Sequence, residues 1–595
     1  MQIAHIGGER KEIVMKRKGR MTRAECCMAW AIALGLILAP ARLTYPASAA
    51  NLTGDSSTAV TVSEGDEYDN VYGVSSENDA SGGSVTISGG TIGSTTTDDD
   101  GNETVSGGNV YGGYSDSGTA SENIVSISQD DDSTTLIMSN VYGGYSSGDA
   151  SGNSVTVSGG TISRNVYGGR SFDGVATGNS VTVSGGTVSS TTTTDSEGNE
   201  TTSDGNVYGG YSGSGTVSGN TVSVSQDGDN ETLIMGNVYA GRSEDGSVTS
   251  NSVTITGGTI GSVYGGRSTD GDATGNSVTI SDGTIGSTTT TDSEGNETVS
   301  GGYVYGGSSS SGNASGNSVA ISGGEISGYV YGNYGSVTAT SIYTSTDDDT
   351  TTEEPVTAVT VSGGTIGGAV IGNYASDGMA TGTGSTETPD VSITGGTISG
   401  SVYGGHASGG DASDNSVTVS NGTISGQVYG GYSDSGTASG NAVSISQVGD
   451  SETLIMNIVY GGFSEGGNVA GNTVTITGGT IDTMTTNSDE TGGNIIGGSS
   501  NSGTASGNAV SISEVDGSTT TISGIVLGGS SYGEASGNSV TISGGTISIN
   551  VMGGRSTGSD ATGNSVTISG GTIGSDNRRR WERNRVQRVR PRRVL

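Results

Sequence analysis

Few residues in this chain are placed to do chemistry. Between residues 51 and 577 there is one histidine, His406, no cysteine and no lysine, and the arginines are Arg164, Arg170, Arg242, Arg267 and Arg555. Catalysis needs a titrating or nucleophilic group with an orienting partner. His406 follows Gly404-Gly405, where other copies of the same phrase carry Tyr, Arg or Ser, so it reads as a substituted repeat position rather than a general base. Serines are too frequent to single out a nucleophile, and no Gly-x-Ser-x-Gly elbow precedes helix-forming sequence. Acids gather at Asp98-Asp99-Asp100, Asp130-Asp131-Asp132, Asp227/Asp229 and Asp347-Asp348-Asp349. Calcium takes about six to eight oxygens from a constrained loop, and none of these runs has the EF-hand or Gly-Gly-x-Gly-x-Asp pattern. They read as solvated acidic loops, with calcium the one cofactor left open. The most repeated chemical group is aromatic. Tyr111, Tyr142, Tyr167, Tyr208, Tyr239, Tyr264, Tyr305, Tyr331, Tyr403, Tyr429 and Tyr460 hold one fixed place in a recurring phrase. Two roles suit them: a structural stack on an outer face, or a stripe that meets glycans or a partner protein.

The phrase that positions those tyrosines occurs sixteen times between Val71 and Gly554: a β-branched residue, usually Tyr, then usually Gly-Gly. Ile371, Ile496, Leu527 and Met552 stand in for Tyr in four copies. The shortest interval is 25 or 26 residues, and longer intervals add residues at two places only. A fixed unit with insertions at defined corners predicts a solenoid. Within a unit, Asn564-Ser565-Val566-Thr567-Ile568 alternates strictly, placing Asn, Val and Ile on one face and Ser and Thr on the other. The expected fold is all-β: a parallel β-helix of about sixteen coils, with three short strands per coil and hairpin or loop insertions. Parallel strands about 4.8 Å apart would make a rod on the order of 75 Å long. Asn153, Asn179, Asn220, Asn251, Asn276, Asn317, Asn415, Asn441, Asn472, Asn508, Asn538 and Asn564 share parity with Val and Ile, which predicts an inward ladder of side-chain amides. The other role for this Asn is to tolerate a left-handed corner after Gly. Tyr follows an inward Val, so its ring is expected to point outward. Of the insertions, Thr191 to Glu200 reads as a projecting hairpin or loop, and Gln226 to Met235 as a hairpin whose Leu-Ile-Met strand replaces Gly-Gly-Thr-Ile in the wall.

Composition bounds what such a rod can meet. Glycine is 112 of 595 residues and aromatics are 5%, so the core must be thin, and the strict phasing of the apolar residues is what separates the chain from a disordered tract. The repeats hold five arginines against 56 acids, a net charge of −51, which repels nucleic acid and anionic membranes. Residues 1–49 read as a secretion signal with an extended basic region: an apolar run from Met28 to Ala39, then Ala47-Ser48-Ala49 as a small-residue cleavage pattern. Residues 50–577 are the repeat domain. Residues 578–595 carry nine Arg, and one base out of frame their codons accommodate the next repeat, so this tail reads as out-of-frame and disordered.

Repeats such as Ala535-Ser-Gly-Asn-Ser-Val-Thr-Ile-Ser-Gly-Gly-Thr-Ile547, following a long signal, resemble the passenger region of bacterial autotransporters and related surface adhesins. The resemblance spans about 51–577, carries no catalytic motif, and the family's C-terminal membrane barrel has no counterpart in the sequence. It implies export and display at the cell surface, at the outer membrane or in the medium. The expected function is a structural or adhesive rod, monomeric, without catalysis, meeting host or bacterial glycans or proteins and neither nucleic acid nor the membrane interior. The alternatives are an enzymatic passenger and a calcium-binding surface-layer or matrix protein.

Overall fold

The computed structural model describes residues 50–574, apart from 98–102, 131–132, 190, 195–199, 204, 229, 287, 292–296, 301, 348–349, 450, 483–492 and 516. The signal-type segment 1–49 and the Arg-rich tail lie outside the described residues. The fold is a parallel β-helix. Sixteen coils contribute to three sheets, and in every sheet each strand pairs in parallel with its equivalent in the next coil. The tyrosine wall comprises the six-residue strands from Val71–Ser76 to Val551–Ser556, preceded by Leu52–Thr53. The alanine wall is a stack of short strands from Ala80–Ser81 to Ala561–Thr562. The long wall holds Ser-Val-Thr-Ile and Gly-Thr-Ile, either as separate strands or as one, as in Ser154–Ile162. The sequence places the second and third strands at Thr-Ile and Val-Tyr; in the structure the first two segments share one bent wall, and the third side is the Ala-Ser pair. Two residues are too few to show an alternation.

Inside, each coil lays Val or Ile over Val or Ile. Val141 pairs with Val166, Val155 with Val181 and Ile162 with Val188, and these aliphatics are fully or almost fully buried. The alanine wall packs only small residues inward, from Ala80 to Ala535, with Val217, Val248 and Val469 the larger members. The corner between alanine wall and long wall demands a left-handed backbone. Glycine supplies it at Gly152, Gly178 and Gly219, while Glu122, Ser250 and Asp414 adopt the same φ of 55°.

The asparagines follow that corner and lie inside the coil. From Asn123 to Asn564 their side chains form a continuous chain of hydrogen bonds through the core. Asn220 shows the pattern: its Oδ1 accepts from the Asn179 backbone N–H and from Asn179 Nδ2, both at 2.9 Å, and its own Nδ2 donates to Ala176 O and to Asn251 Oδ1, also at 2.9 Å. Each buried amide is thus bonded at both ends, as burial of a polar group requires. A second buried polar row missed by sequence reading closes the next corner. Ser146, Ser171, Ser212, Ser243 and Ser268 each donate Oγ–H to a glycine carbonyl of the preceding coil. A third polar row, mostly half-buried, lies at the entry to the tyrosine wall, where Oδ1 of Asn70, Asn109, Asn140, Asn165 and Asn206 accepts the backbone N–H of the next asparagine in the row.

Insertions leave this frame intact. Ser94–Thr97 with Glu103–Ser106, Thr191–Thr194 with Glu200–Ser203, and Thr288–Thr291 with Glu297–Ser300 are antiparallel hairpins, all leaving the same corner at every third coil. In the Gln226 to Met235 insertion, Leu233 and Ile234 enter the long wall opposite Thr187 and Val188. That loop is closed by Thr232 Oγ1 donating to Ser225 O at 2.7 Å, a bond repeated by Thr135, Thr453 and Thr520.

An Asn472→Ala variant removes one rung: the Asn441 N–H loses its acceptor, and Asn441 Nδ2, Ala438 O and Asn508 Oδ1 each lose the bond of 2.9 Å that the Asn472 side chain makes to them. A loss of about 3 kcal/mol is expected. Hydrogen exchange is the measurement: protection should fall in the coils containing Asn441 and Asn508 while the coils before Asn317 keep theirs, because each coil contacts only its neighbours.

Candidate functional site: the outer face of the tyrosine wall

Each tyrosine strand is bent at its glycine pair. In Val141-Tyr142-Gly143-Gly144-Tyr145-Ser146, a Cβ on Gly143 would lie 3.2 Å from Asn153 Cβ, and one on Gly144 only 2.5 Å from Asn153 Cγ. Both glycines therefore face the ladder with no room for a side chain: a Cβ on Gly143 would also collide with Gly168 O. Two inward residues in succession reset the alternation, so Tyr142 and Tyr145 emerge on the same outer side. Their rings meet edge to face at 5.3 Å.

The sequence-predicted tyrosines form two stacks on that outer side. From Tyr72 through Tyr111, Tyr142, Tyr167, Tyr208, Tyr239, Tyr264 and Tyr305 to Tyr331, neighbouring rings lie parallel at 4.7–5.0 Å. Ile371 interrupts the row, and Tyr403, Tyr429 and Tyr460 resume it at 4.8 and 5.0 Å. These spacings are the strand separation itself, and offset stacking at this distance is favourable. Six of these rings are buried, and Tyr72, Tyr111, Tyr264, Tyr305, Tyr331 and Tyr403 are half-buried. Tyr142 is 4% exposed, Tyr239 2% and Tyr429 6%. A second row, three residues on, packs over the stack and leaves its rings buried or half-buried. Burial raises the phenol pKa of Tyr111, Tyr167, Tyr208, Tyr305, Tyr331 and Tyr429 and pushes those of Tyr264 and Tyr460 up to about 12, so these hydroxyls are neutral at physiological pH.

The covering row reads Tyr114, Tyr145, Arg170, Tyr211, Arg242 and Arg267 in successive coils, then Ser308, Tyr334, Tyr374, His406, Tyr432 and Phe463. These side chains are partly exposed, except for the buried Ser308. Each of three arginines lays its guanidinium over the stacked tyrosine of its own coil: Arg170 over Tyr167 at 5.4 Å, Arg242 over Tyr239 at 5.6 Å and Arg267 over Tyr264 at 5.5 Å. Each also donates Nη1–H to the tyrosine hydroxyl of the coil before, at 3.3 to 3.4 Å. Sequence reading missed this row because it carried strict alternation across the Gly pair; the recurring Tyr or Arg three residues after Tyr was the available signal.

His406 belongs to this row. It stands edge-on between Tyr374 at 5.2 Å and Tyr432 at 4.7 Å and leans on Tyr403. Its Nε2 is 3.6 Å from Asp434 Oδ2, beyond hydrogen-bond range, and burial lowers its pKa against the opposing pull of that carboxylate. The geometry is that of a ring filling a ring's place. Asp390 is the one fully buried carboxylate among the described residues. Ser416 donates its N–H at 2.6 Å and its Oγ–H at 3.1 Å to Oδ2, and Asn373 Nδ2 donates to Oδ1 at 3.2 Å. Desolvation raises its pKa to about 6 against these bonds. Among the described residues no group of three or more His, Cys, Asp or Glu is placed to share a metal ion. Asp98–Asp100, Asp131–Asp132, Asp229 and Asp348–Asp349 of the acidic runs lie outside the described residues. No protein-family model, curated protein or solved structure matches the chain.

Asp390 makes stability depend on pH. Its folded pKa of about 6 lies above the ordinary 3.8, so the fold favours the neutral acid. Its contribution is fully present below the unfolded value and is lost as pH rises through about 6. Asp390→Asn keeps an acceptor for Ser416 and removes the charge. Thermal melts should show the variant more stable than the parent at pH 8, by up to about 3 kcal/mol, and the gap closing by pH 4.

Proposed function

We propose that this chain is an exported, non-catalytic adhesive rod of the autotransporter-passenger type, working at or beyond the bacterial cell surface. The observation that carries the reading is the parallel coil-on-coil pairing of sixteen coils, from which three Thr-rich hairpins project while the walls on either side stay paired. Such a frame holds surface groups at fixed multiples of the strand spacing, and three hairpins repeat at every third coil, about 14 Å apart. Regular presentation of this kind suits multivalent attachment, where many weak contacts add through effective concentration. The titratable groups that depart from the repeat, His406 and Asp390, are engaged in packing and hydrogen bonding, which supports structural roles for both. The signal-type segment and the resemblance to surface adhesins support export, and a net charge of −51 in the repeats favours solubility outside the cell.

Two measurements on cells producing the full chain check this reading. External protease should remove the chain from intact cells while a cytoplasmic marker survives, and cells or medium carrying it should be retained on immobilised glycans or matrix proteins. A chain protected from protease in intact cells and absent from the medium contradicts export. Retention equal to that of cells lacking the chain contradicts adhesion.

A further inference from the structure

The covering row concentrates in one place what the rest of the solenoid lacks. Of the five arginines in the repeats, Arg164, Arg170, Arg242 and Arg267 fall between residues 164 and 267. One of them has an ion-pair partner among the described residues, Arg242 with Glu244 at 2.9 Å. Arg170 has none within 4.0 Å, although the repeats around it carry a large excess of acids. Its guanidinium is held instead by aromatic faces: Tyr145 at 5.6 Å, Tyr211 at 5.5 Å and Phe172 at 5.7 Å. Phe172 is 53% exposed, at a position that is Ser147 and Gly213 in the flanking coils, and Val175 beside it is 37% exposed. Nε of Arg170 is enclosed without a partner among the described residues, and the guanidinium makes one hydrogen bond to them, donated to the Tyr142 hydroxyl. A half-buried guanidinium without a counter-charge, ringed by aromatics and next to an exposed phenylalanine, is poorly explained by packing alone. It matches a ligand that brings one anion and an apolar face.

The surroundings narrow that ligand. Asp149, Asp173, Glu244 and Asp245 lie at the end of the same strands or just beyond them, so a polyanion would be repelled. A sugar bearing a single carboxylate satisfies both conditions: its C–H face covers an aromatic ring, and its carboxylate takes a guanidinium fork. We propose that Arg170, Tyr145, Phe172 and Tyr211 form a binding site for a carboxylated terminal sugar of a glycan. This rests on the adhesive reading and deepens it by moving the contact surface from the buried tyrosine stack to the row above it.

Sialyllactose and lactose, titrated calorimetrically into the full chain, are the probes, with Arg170→Gln and Phe172→Ser as variants. Sialyllactose should bind, lactose should bind at least about tenfold more weakly, and each variant should weaken sialyllactose by about tenfold. Near-ultraviolet circular dichroism should stay unchanged in Phe172→Ser, which removes an exposed ring and leaves the stack whole. Equal affinity for both sugars, affinity indifferent to both variants, tighter binding of heparin, or binding of a peptide carboxylate in place of the sugar would each overturn the site. Cells that still adhere while sialyllactose fails to bind would overturn this inference and leave the adhesive rod standing; cells that adhere to nothing would remove the rod's role first.

Discussion

The interior of every coil has one slot for a side chain between the bent glycine pair and the start of the long wall, and that slot must be filled once. In most coils Asn fills it from the long-wall side and the second glycine faces it empty-handed. The first coil reverses this: Val74 stands at the second-glycine position, and Gly83 stands where Asn would be, 2.7 Å from a Val74 methyl if it carried a Cβ. The coils beginning at Val330 and Val370 solve it again, with Asn333 and Asn373 at the second-glycine position and no Asn ahead of Val359 or Val391. The ladder runs straight through them. Asn317 bonds Asn333 at 2.8 Å, Asn333 bonds Asn373 at 2.9 Å, and Asn373 reaches Asn415 at 3.3 Å. Close packing forbids two side chains there and the buried amides forbid none.

The outer surface follows from that constraint. Because the glycine pair yields to the ladder, it bends, and the bend brings residues three apart to the same outer side. A buried tyrosine stack with a cover is the result, where a plain strand would have shown a single aromatic stripe. The cover is free to vary, since it fills no slot, and its variation from Tyr to Arg, His, Phe or Ser is where the coils differ chemically. The interior asks every coil to fill the same slot, and the cover does not.

Solenoid architecture, coil number, the inward asparagines and two insertion places were legible in the sequence because each rests on periodicity, which one chain displays many times over; the hairpin of Ile342–Asp347 with Thr350–Pro355 leaves from a third corner, between the alanine wall and the long wall. What escaped it turns on places where period two fails. The Ala-Ser wall is too short to alternate. The serine row after Gly-Gly-Tyr was hidden by the same bend that hid the cover. Burial of Tyr142 or Tyr208 depends on a neighbour three residues away, and simple parity assigns that neighbour to the opposite face. Nothing in the sequence singles out Asp390; its enclosure comes from Ser416 and Asn373, 26 and 17 residues away.

The slot is the claim on which the rest stands, and exchanging its occupant between walls tests it. Gly210→Asn alone places a second side chain against Asn220, whose Cγ would be 2.5 Å from the new Cβ, and Asn220→Gly alone leaves the slot empty. Combined, they reproduce the arrangement of Asn333. Hydrogen exchange of the Asn179 and Asn251 amides, which sit on either side, gives the local stability of all four proteins in one double-mutant cycle. The account predicts that the double variant is better protected than either single variant. Effects that simply add, leaving the double variant the least protected of the four, would contradict it.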